Sequence, residues 1–457
     1  MTTTRLAAFA LGGVLGSLSI PACDLDVSDL NNPGLDELET APTAVSIGAA
    51  ATGLLIGNRR NHAAANGYVV QLGIIGREAY NFDSADPRLI SELIQGSLNS
   101  GSPFGGNFWG GPYANIRLAN IVLHAVDKVT ELSAGDKAAI RGFAKTIEAT
   151  DLLEVIVTHD SNGAVIDTDH GITDPLGAIV GDKLVVLAEI ARLLDAAVTD
   201  LGAAGETFPF LLDEGYSGFD TPATFLKLNR AMRARVAVYL QDYAMALTAL
   251  GASFLDDTST TIDFDRGVYY TFTTKSGDTT NGLINPNIYA HPSVETDAMN
   301  GTNVDARFTR KVGPAKKPGS AKGLSSSLSF AKLYGSPGSP VSMIRNEELV
   351  LLKAEALYYT GNHTGALAEL NLVRTGSGVL APRTDLPDDA TFVNYLLYER
   401  RYSLLFEGHR WIDARRFNKL DTIPLDKPEH TRNVRYPIPL PECNARPGEP
   451  QCNLGST

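Results

Sequence analysis

The residues able to do chemistry in this 457-residue chain are scattered rather than assembled. Eight histidines stand at positions 62, 124, 159, 170, 291, 363, 409 and 430, and no two are paired at the helical spacing that metal ligands use. GxSxG, HExxH, GxxxxGKS/T and CxxC are all absent, so no recognisable nucleophile elbow, zincin pair, phosphate loop or redox couple is written locally. HDSNGAVIDTDHGITD, residues 159–174, gathers oxygen ligands in one loop. It lacks the ordered spacing and closing bidentate Glu of an EF-hand, and Asp and Asn are common turn formers, so no metal is expected there. Glu347 and Glu348 follow Arg345 at a helix start, where dipole neutralisation and ion pairing are better explanations than acid–base work. The expectation is a protein without enzymatic activity or cofactor.

One residue does have a chemistry set by its neighbours. LAAFALGGVLGSLSI, residues 6–20, is uncharged and follows Arg5. It is too short for the ~20-residue helix that spans a bilayer but suits the apolar core of an export signal. Ala22 supplies the small residue before a cut and Cys23 follows at once, an order that resembles the lipobox of a bacterial lipoprotein. The expectation is a signal peptide over 1–22 and a lipidated tether over 23–42 that starts at Cys23; the alternative is a simple secretion signal with an incidental Cys.

Composition narrows the partners. Net charge is −13 and no basic stripe runs along the chain, which argues against nucleic acid. An apolar fraction of 44% against 20% charged residues supports a substantial core. If Cys23 is lipidated, Cys443 and Cys452 remain, in CNARPGEPQC. Pro447-Gly448 favours a turn that brings them together, and an oxidising compartment allows a disulfide; two free thiols are the alternative.

Most of the elements are helical by their patterning. Helices are expected over 43–57, 66–78, 87–97, 111–130, 136–158, 180–201, 222–240, 243–254, 345–360, 363–374 and 389–407, the first capped by Thr40 or Thr43. Residues 256–342 turn irregular, rich in Gly, Pro, Ser, Thr and Asn with scattered aromatics, which favours a functional loop set. Two helical pairs match at an offset of 120 residues: Ala234 with Ala354, Ala246 with Ala366, Leu250 with Leu370, and Asp242 with Asn362 at the turn. Small residues at a crossing let antiparallel helices approach to ~8–10 Å. This is the content of a tetratricopeptide-like repeat, although two ordinary helical hairpins would also satisfy it.

The C-terminal third carries the most specific pattern. Arg345, Glu348, Ala354, Glu355 and Ala356 precede the turn residues Gly361 and Asn362. Then come Glu399, Arg400, Arg401, Phe406, Glu407, Gly408, Arg410, Trp411, Asp413 and Arg416, and a close built on Pro437, Ile438, Pro439, Glu442, Asn444 and Pro447. In order and separation these segments resemble the SusD/RagB family, with weaker echoes at 109–120, 140–153 and 305–307. The charged residues among them read as structural: Gly408 suits a left-handed helix end, Arg400, Arg410 and Arg416 are expected to face Glu399, Glu407 and Asp413, and Trp411 to be buried.

The resemblance implies a mainly α fold over 43–457, a TPR-like scaffold of helical pairs with long loops, about 256–342, forming a second, ligand-facing lobe. It implies a surface-facing outer-membrane lipoprotein that binds an oligosaccharide, or a peptide as RagB-like receptors do, and presents it to a SusC-like TonB-dependent transporter. Asp24 and Asp26 behind Cys23 resemble the surface-export signal of Bacteroidetes-type lipoproteins. A TPR-like envelope scaffold is the rival function. A sugar site needs aromatic platforms beside polar loops. SPFGGNFWGGPY, residues 102–113, offers Phe104, Phe108 and Trp109, with Trp109 favoured because the family often places a ligand aromatic there. The irregular region offers Tyr269, Tyr270, Phe272 and Tyr289 beside Asp278, Asn281 and Asn287, and YNFDSAD, residues 80–86, is a weaker third.

Overall fold

Thr43 starts the helical stack: its hydroxyl accepts from the Ser46 N–H and the Ser46 hydroxyl accepts from the Thr43 N–H, a reciprocal capping box. The structure is a computed structural model and describes residues 35–171, 173–300 and 302–457. Cys23, the leader and most of the tether lie outside the described residues.

The helices that build the scaffold are α1 (Ala44–Arg59), α2 (Tyr68–Ile75), α3 (Gly110–Ala125), α4 (Ala134–His159), α5 (Lys183–Gly202), α6 (Pro222–Tyr239), α7 (Tyr243–Gly251), α8 (Asn346–Tyr359), α9 (His363–Gly376), α10 (Asp389–Ser403) and α11 (Arg410–Arg416). From α3 through α10 each packs on the next, and α1 closes on α3 and α4, so the fold is mainly α and built of stacked helical pairs. The 120-residue offset is physical. α6/α7 and α8/α9 turn through left-handed residues at equivalent places, Gln241 with φ 60° and Gly361 with φ 88°. Asp242 and Asn362 then cap the second helix of each pair by accepting from the N–H of Met245 and Gly365. Ala234, Ala246, Ala354 and Ala366 have no exposed surface, which is where the paired backbones come close.

Several boundaries differ from the sequence expectation, two of them for a clear local reason. Over 87–97 a single helix gives way to the short Arg88–Ile90 turn and a wider π-type turn at Ser91–Gln95. α10 stops at Ser403 rather than 407, because Phe406 takes φ 58° and Gly408 φ 88° in the turn that follows. A separate helix, α11, then begins at Arg410.

The stretch 256–342 is not irregular throughout. Short antiparallel ribbons cover one side of the stack: β1 (Ala79–Asn81) pairs with β3 (Ile288–Ala290), β2 (Gly267–Tyr270) with β6 (Val341–Arg345), and β4 (Gly313–Ala321) with β5 (Leu324–Ser329). The β4–β5 hairpin closes on Lys322-Gly323, both with positive φ, as a two-residue hairpin loop requires. The main core runs from α1 to Ile438, and a second cluster, with Tyr358 stacked on Phe392 at 3.7 Å, fills the α8–α10 end. Among the described residues no helix is long and apolar enough to cross a membrane.

Candidate ligand-binding site

A groove of about 1120 Å³ opens where the helical stack meets the ribbons. Thr52, Leu55, Ile56 and Arg59 form one wall because they share a face of α1 at helical spacing. The opposite wall is β2, which alternates: Val268 and Tyr270 point into the core, while Gly267 and Tyr269 stay half-exposed toward the groove. The floor is the turn 213–216, drawn against the strand. Asp213 accepts from the Gly215 N–H at 2.9 Å, and a Cβ on Gly215 would stand 1.9 Å from the Tyr269 carbonyl oxygen, so only glycine fits.

Arg59 ties the walls together. Its guanidinium donates to the Thr271 carbonyl and to Asp278, each at 2.5 Å, and its charge lies 5.6 Å from the Phe272 ring centre. Burial alone would raise the Asp278 carboxyl, but the hydrogen bond from Arg59 prevails and holds it below its ordinary value. Asp213 goes the other way, raised chiefly by burial. Around the mouth stand Leu211, 87% exposed, Ile56, 53% exposed, and the polar side chains of Glu214, Ser217, Asp265, Arg266 and Lys275. The groove offers an aromatic face, apolar edges and many hydrogen-bond partners. Those features suit an extended, hydroxyl-rich ligand.

Of the ligand candidates from the sequence, Tyr269, Phe272 and Asp278 line this groove; the Tyr269 hydroxyl donates to the Asp265 carbonyl. Phe104, Phe108, Trp109, Tyr270 and Tyr289, expected to face a ligand, are instead buried outside this groove. Trp109 is 3% exposed, wedged between Tyr113 and His159 with ring centres 4.9 and 5.1 Å away. Phe104 and Phe108 are buried, Phe108 meeting Tyr68 and Tyr436 edge-on. Tyr270 points inward, its ring tilted against His62 with centres 4.2 Å apart and its hydroxyl donating to the Asn58 side-chain oxygen. Tyr289 is covered by β4, whose Gly319 lies directly against its ring. The glycines of 102–113 let the chain turn, but the aromatics pack inward, Trp109 on Tyr113 and His159, Phe108 on Tyr68 and Tyr436, and Phe104 beneath Arg88. Leu211, Asp213 and Arg59 escaped sequence reasoning, since one apolar and two charged residues carry no local sign of a ligand site and only the fold brings them to Tyr269.

Residues 332–446 match the family model of the SusD family. A curated relative, SusD-like protein P38 of Formosa agariphila, is 29% identical over 147 residues, which is 29% of each chain. Solved structures extend the likeness of fold along most of the chain. A SusD superfamily protein from Bacteroides vulgatus has a TM-score of 0.66 at 14% identity, covering 88% of this chain and 97% of that one. A laminarin binding SusD-like protein has a TM-score of 0.62 at 17% identity, covering 86% and 97%. Residues 332–446 are thus similar to the SusD family, and the fold of most of the chain is like that of solved SusD-like proteins.

The matched segment builds a largely buried charge clasp, and its pairing differs from the expected one. Arg400 donates to Asp413 at 2.7 Å and Arg416 reaches Asp413 at 3.1 Å, as the sequence suggests. Glu399 instead binds Arg307 and Arg374, at 2.6 and 2.9 Å. Glu407 binds Arg345 and Lys311, at 3.0 and 3.1 Å. Arg410 makes no ion pair among the described residues; it donates to the Arg77 carbonyl at 2.9 Å, and burial with Arg401 nearby pulls it down to about 9. Glu348 takes a two-pronged bond from Arg235, and Glu355 one from Arg416. Burial would raise Glu347 and Glu348, but Arg345 and Arg235 outweigh it and bring both to about 2. Trp411 is 1% exposed and donates its indole N–H to the Asn433 carbonyl. Gly408 faces Tyr68, where a Cβ would stand 2.7 Å from the ring. Most of these groups are buried, so the clasp holds the fold together. Cys443 and Cys452 form a disulfide that closes the C-terminal tail.

Proposed function

We propose that this protein captures an oligosaccharide in the groove between α1, the 211–219 loop and β2. The observation that carries the reading is the half-exposed face of Tyr269, flanked by apolar Leu211 and Ile56 and ringed by carboxylates, hydroxyls and cations. A sugar ring presents C–H faces to such an aromatic and hydroxyls to such a rim. Relatives of this fold support the ligand class: one is described as laminarin binding, and another, from Bacteroides fragilis, as a SusD-like carbohydrate binding protein. Neither description names a peptide, so a peptide ligand is not favoured. The role is retention without bond cleavage.

The wider setting rests on the family and on Cys23. The family is associated with the outer membrane of Bacteroidetes, and a lipid on Cys23 would tether the scaffold there. From that position the captured glycan passes to a SusC-like TonB-dependent transporter. Affinity electrophoresis of the full chain against a panel of neutral glucans, mannans and xylans, with peptides in a parallel arm, tests the reading. Retardation by at least one glycan, weakened by Tyr269→Ala and by Leu211→Asp, is expected. Glycan binding that ignores both substitutions, or binding of peptides alone, refutes it. Labelled palmitate incorporated by wild type but not by Cys23→Ala tests the anchor.

A further inference from the structure

The chain is acidic overall, yet between Asp305 and Glu347 it contains no Asp or Glu and eight Lys or Arg residues. Arg307, Lys311 and Arg345 of that stretch are spent on buried carboxylates in the clasp. The remainder is different. Lys316, Lys317 and Lys322 are exposed on the β4–β5 hairpin and enter no ion pair among the described residues. Two further cations close on the same ribbon. Lys332 lays its stem across Gly313 at the base and donates to the Thr309 carbonyl, and Lys427 sits against Gly323 at the tip and donates to the Lys322 carbonyl. Five ammonium groups therefore mark one ribbon about 25–30 Å long, at roughly 3.3 Å per residue. Leu324 and Ser326 fix its inner face, the latter by donating to the Ala290 carbonyl, so the lysines stand on an ordered support.

We propose that this hairpin is a second binding surface, taking linear polyanionic polysaccharide through its sulfate or carboxylate groups. Five unneutralised ammonium groups lower the potential energy of an anion at the ribbon, while the net charge of −13 raises it over the rest of the surface, which steers an anionic chain to the ribbon. Lysine suits this task as a mobile point charge that follows irregularly spaced anions. A protein partner fits poorly, because none of the large exposed apolar side chains falls between Asp305 and Glu347 and an interface needs such anchors. Duplex nucleic acid fits poorly too: one charge per ~1.7 Å demands a continuous basic surface, whereas five spaced ammonium groups match a sparser polymer. The surface is separate from the groove and does not depend on the groove's ligand.

The test is affinity electrophoresis of the full chain through heparin and polygalacturonate, with neutral laminarin as control, at about 0.02 M and about 0.3 M salt. Wild type is expected to be retarded by both polyanions at low salt and released at high salt. The triple variant Lys316→Ala, Lys317→Ala, Lys322→Ala, with unchanged circular dichroism, is expected to bind roughly tenfold more weakly. Lys316→Glu with Lys317→Glu should abolish retardation, while Tyr269→Ala should leave it intact. Equal retardation of wild type and the triple variant overturns the proposal. So does retention that survives high salt, or capture of duplex DNA or anionic vesicles with neither polysaccharide bound.

Discussion

Tyr269 and Tyr270 are neighbours on one strand with opposite fates, and substituting each in turn tests the reading of β2. Tyr270 is 6% exposed, its ring against His62 and its hydroxyl on Asn58, whose amide in turn donates to Asp151 at 2.7 Å. Tyr270→Ala removes a buried aromatic and leaves a cavity, a loss of about 3–5 kcal/mol. Tyr270→Phe keeps the packing and deletes one hydrogen bond, about 1 kcal/mol. Tyr269 is only half-buried, and its hydroxyl satisfies a main-chain carbonyl at the surface, so Tyr269→Ala should cost about 1 kcal/mol or less. In the groove the same change removes the aromatic platform, worth roughly 0.5–1.5 kcal/mol, or a several-fold weaker glycan. Urea unfolding gives the stabilities and affinity electrophoresis the binding. The expected outcome is a crossed pattern: Tyr270→Ala unfolds early but, where folded, binds normally, and Tyr269→Ala unfolds normally but binds poorly. Early unfolding of Tyr269→Ala with wild-type stability of Tyr270→Ala would mean that the strand presents its faces the other way round.

Trp109→Ala should lose about 3–5 kcal/mol of stability in urea and leave glycan binding by the folded fraction unchanged, because its ring is enclosed by Tyr113 and His159; weaker binding at full stability would return Trp109 to the ligand site. Glu347 and Glu348 have folded values near 2, below the ordinary 4.5, so their ion pairs stabilise fully above about pH 4.5 and that contribution is lost as pH falls toward 2. Urea midpoints should drop across that window, and Glu348→Gln should flatten part of the drop; identical slopes in variant and wild type would contradict the assignment. Gly408→Ala should destabilise by about 1–2 kcal/mol or more, since φ 88° strains any side chain and the new Cβ meets Tyr68. A neutral effect in thermal unfolding would show that the turn relaxes.

The helical scaffold was legible in the residue order because its causes are local. Capping by Thr43, Asp242 and Asn362, and the alanines shared by α6/α7 and α8/α9, act within a few residues of themselves, so spacing alone announces them. The presence of a charge clasp was legible too, but its wiring was not. Glu399 finds Arg307 from 92 residues away and Glu348 finds Arg235 from 113, choices made by which helices lie side by side. The candidate site shows the division most clearly. Sequence composition singles out aromatics near glycines, yet whether an aromatic is a platform or part of the core depends on what packs over it. His159 of α4 packs on Trp109, β4 covers Tyr289, and Tyr269 keeps part of its surface open to the groove. Local order settled the helices and their caps; burial belongs to neighbours distant in the chain, and only the tertiary structure decided which side chains were left for a ligand.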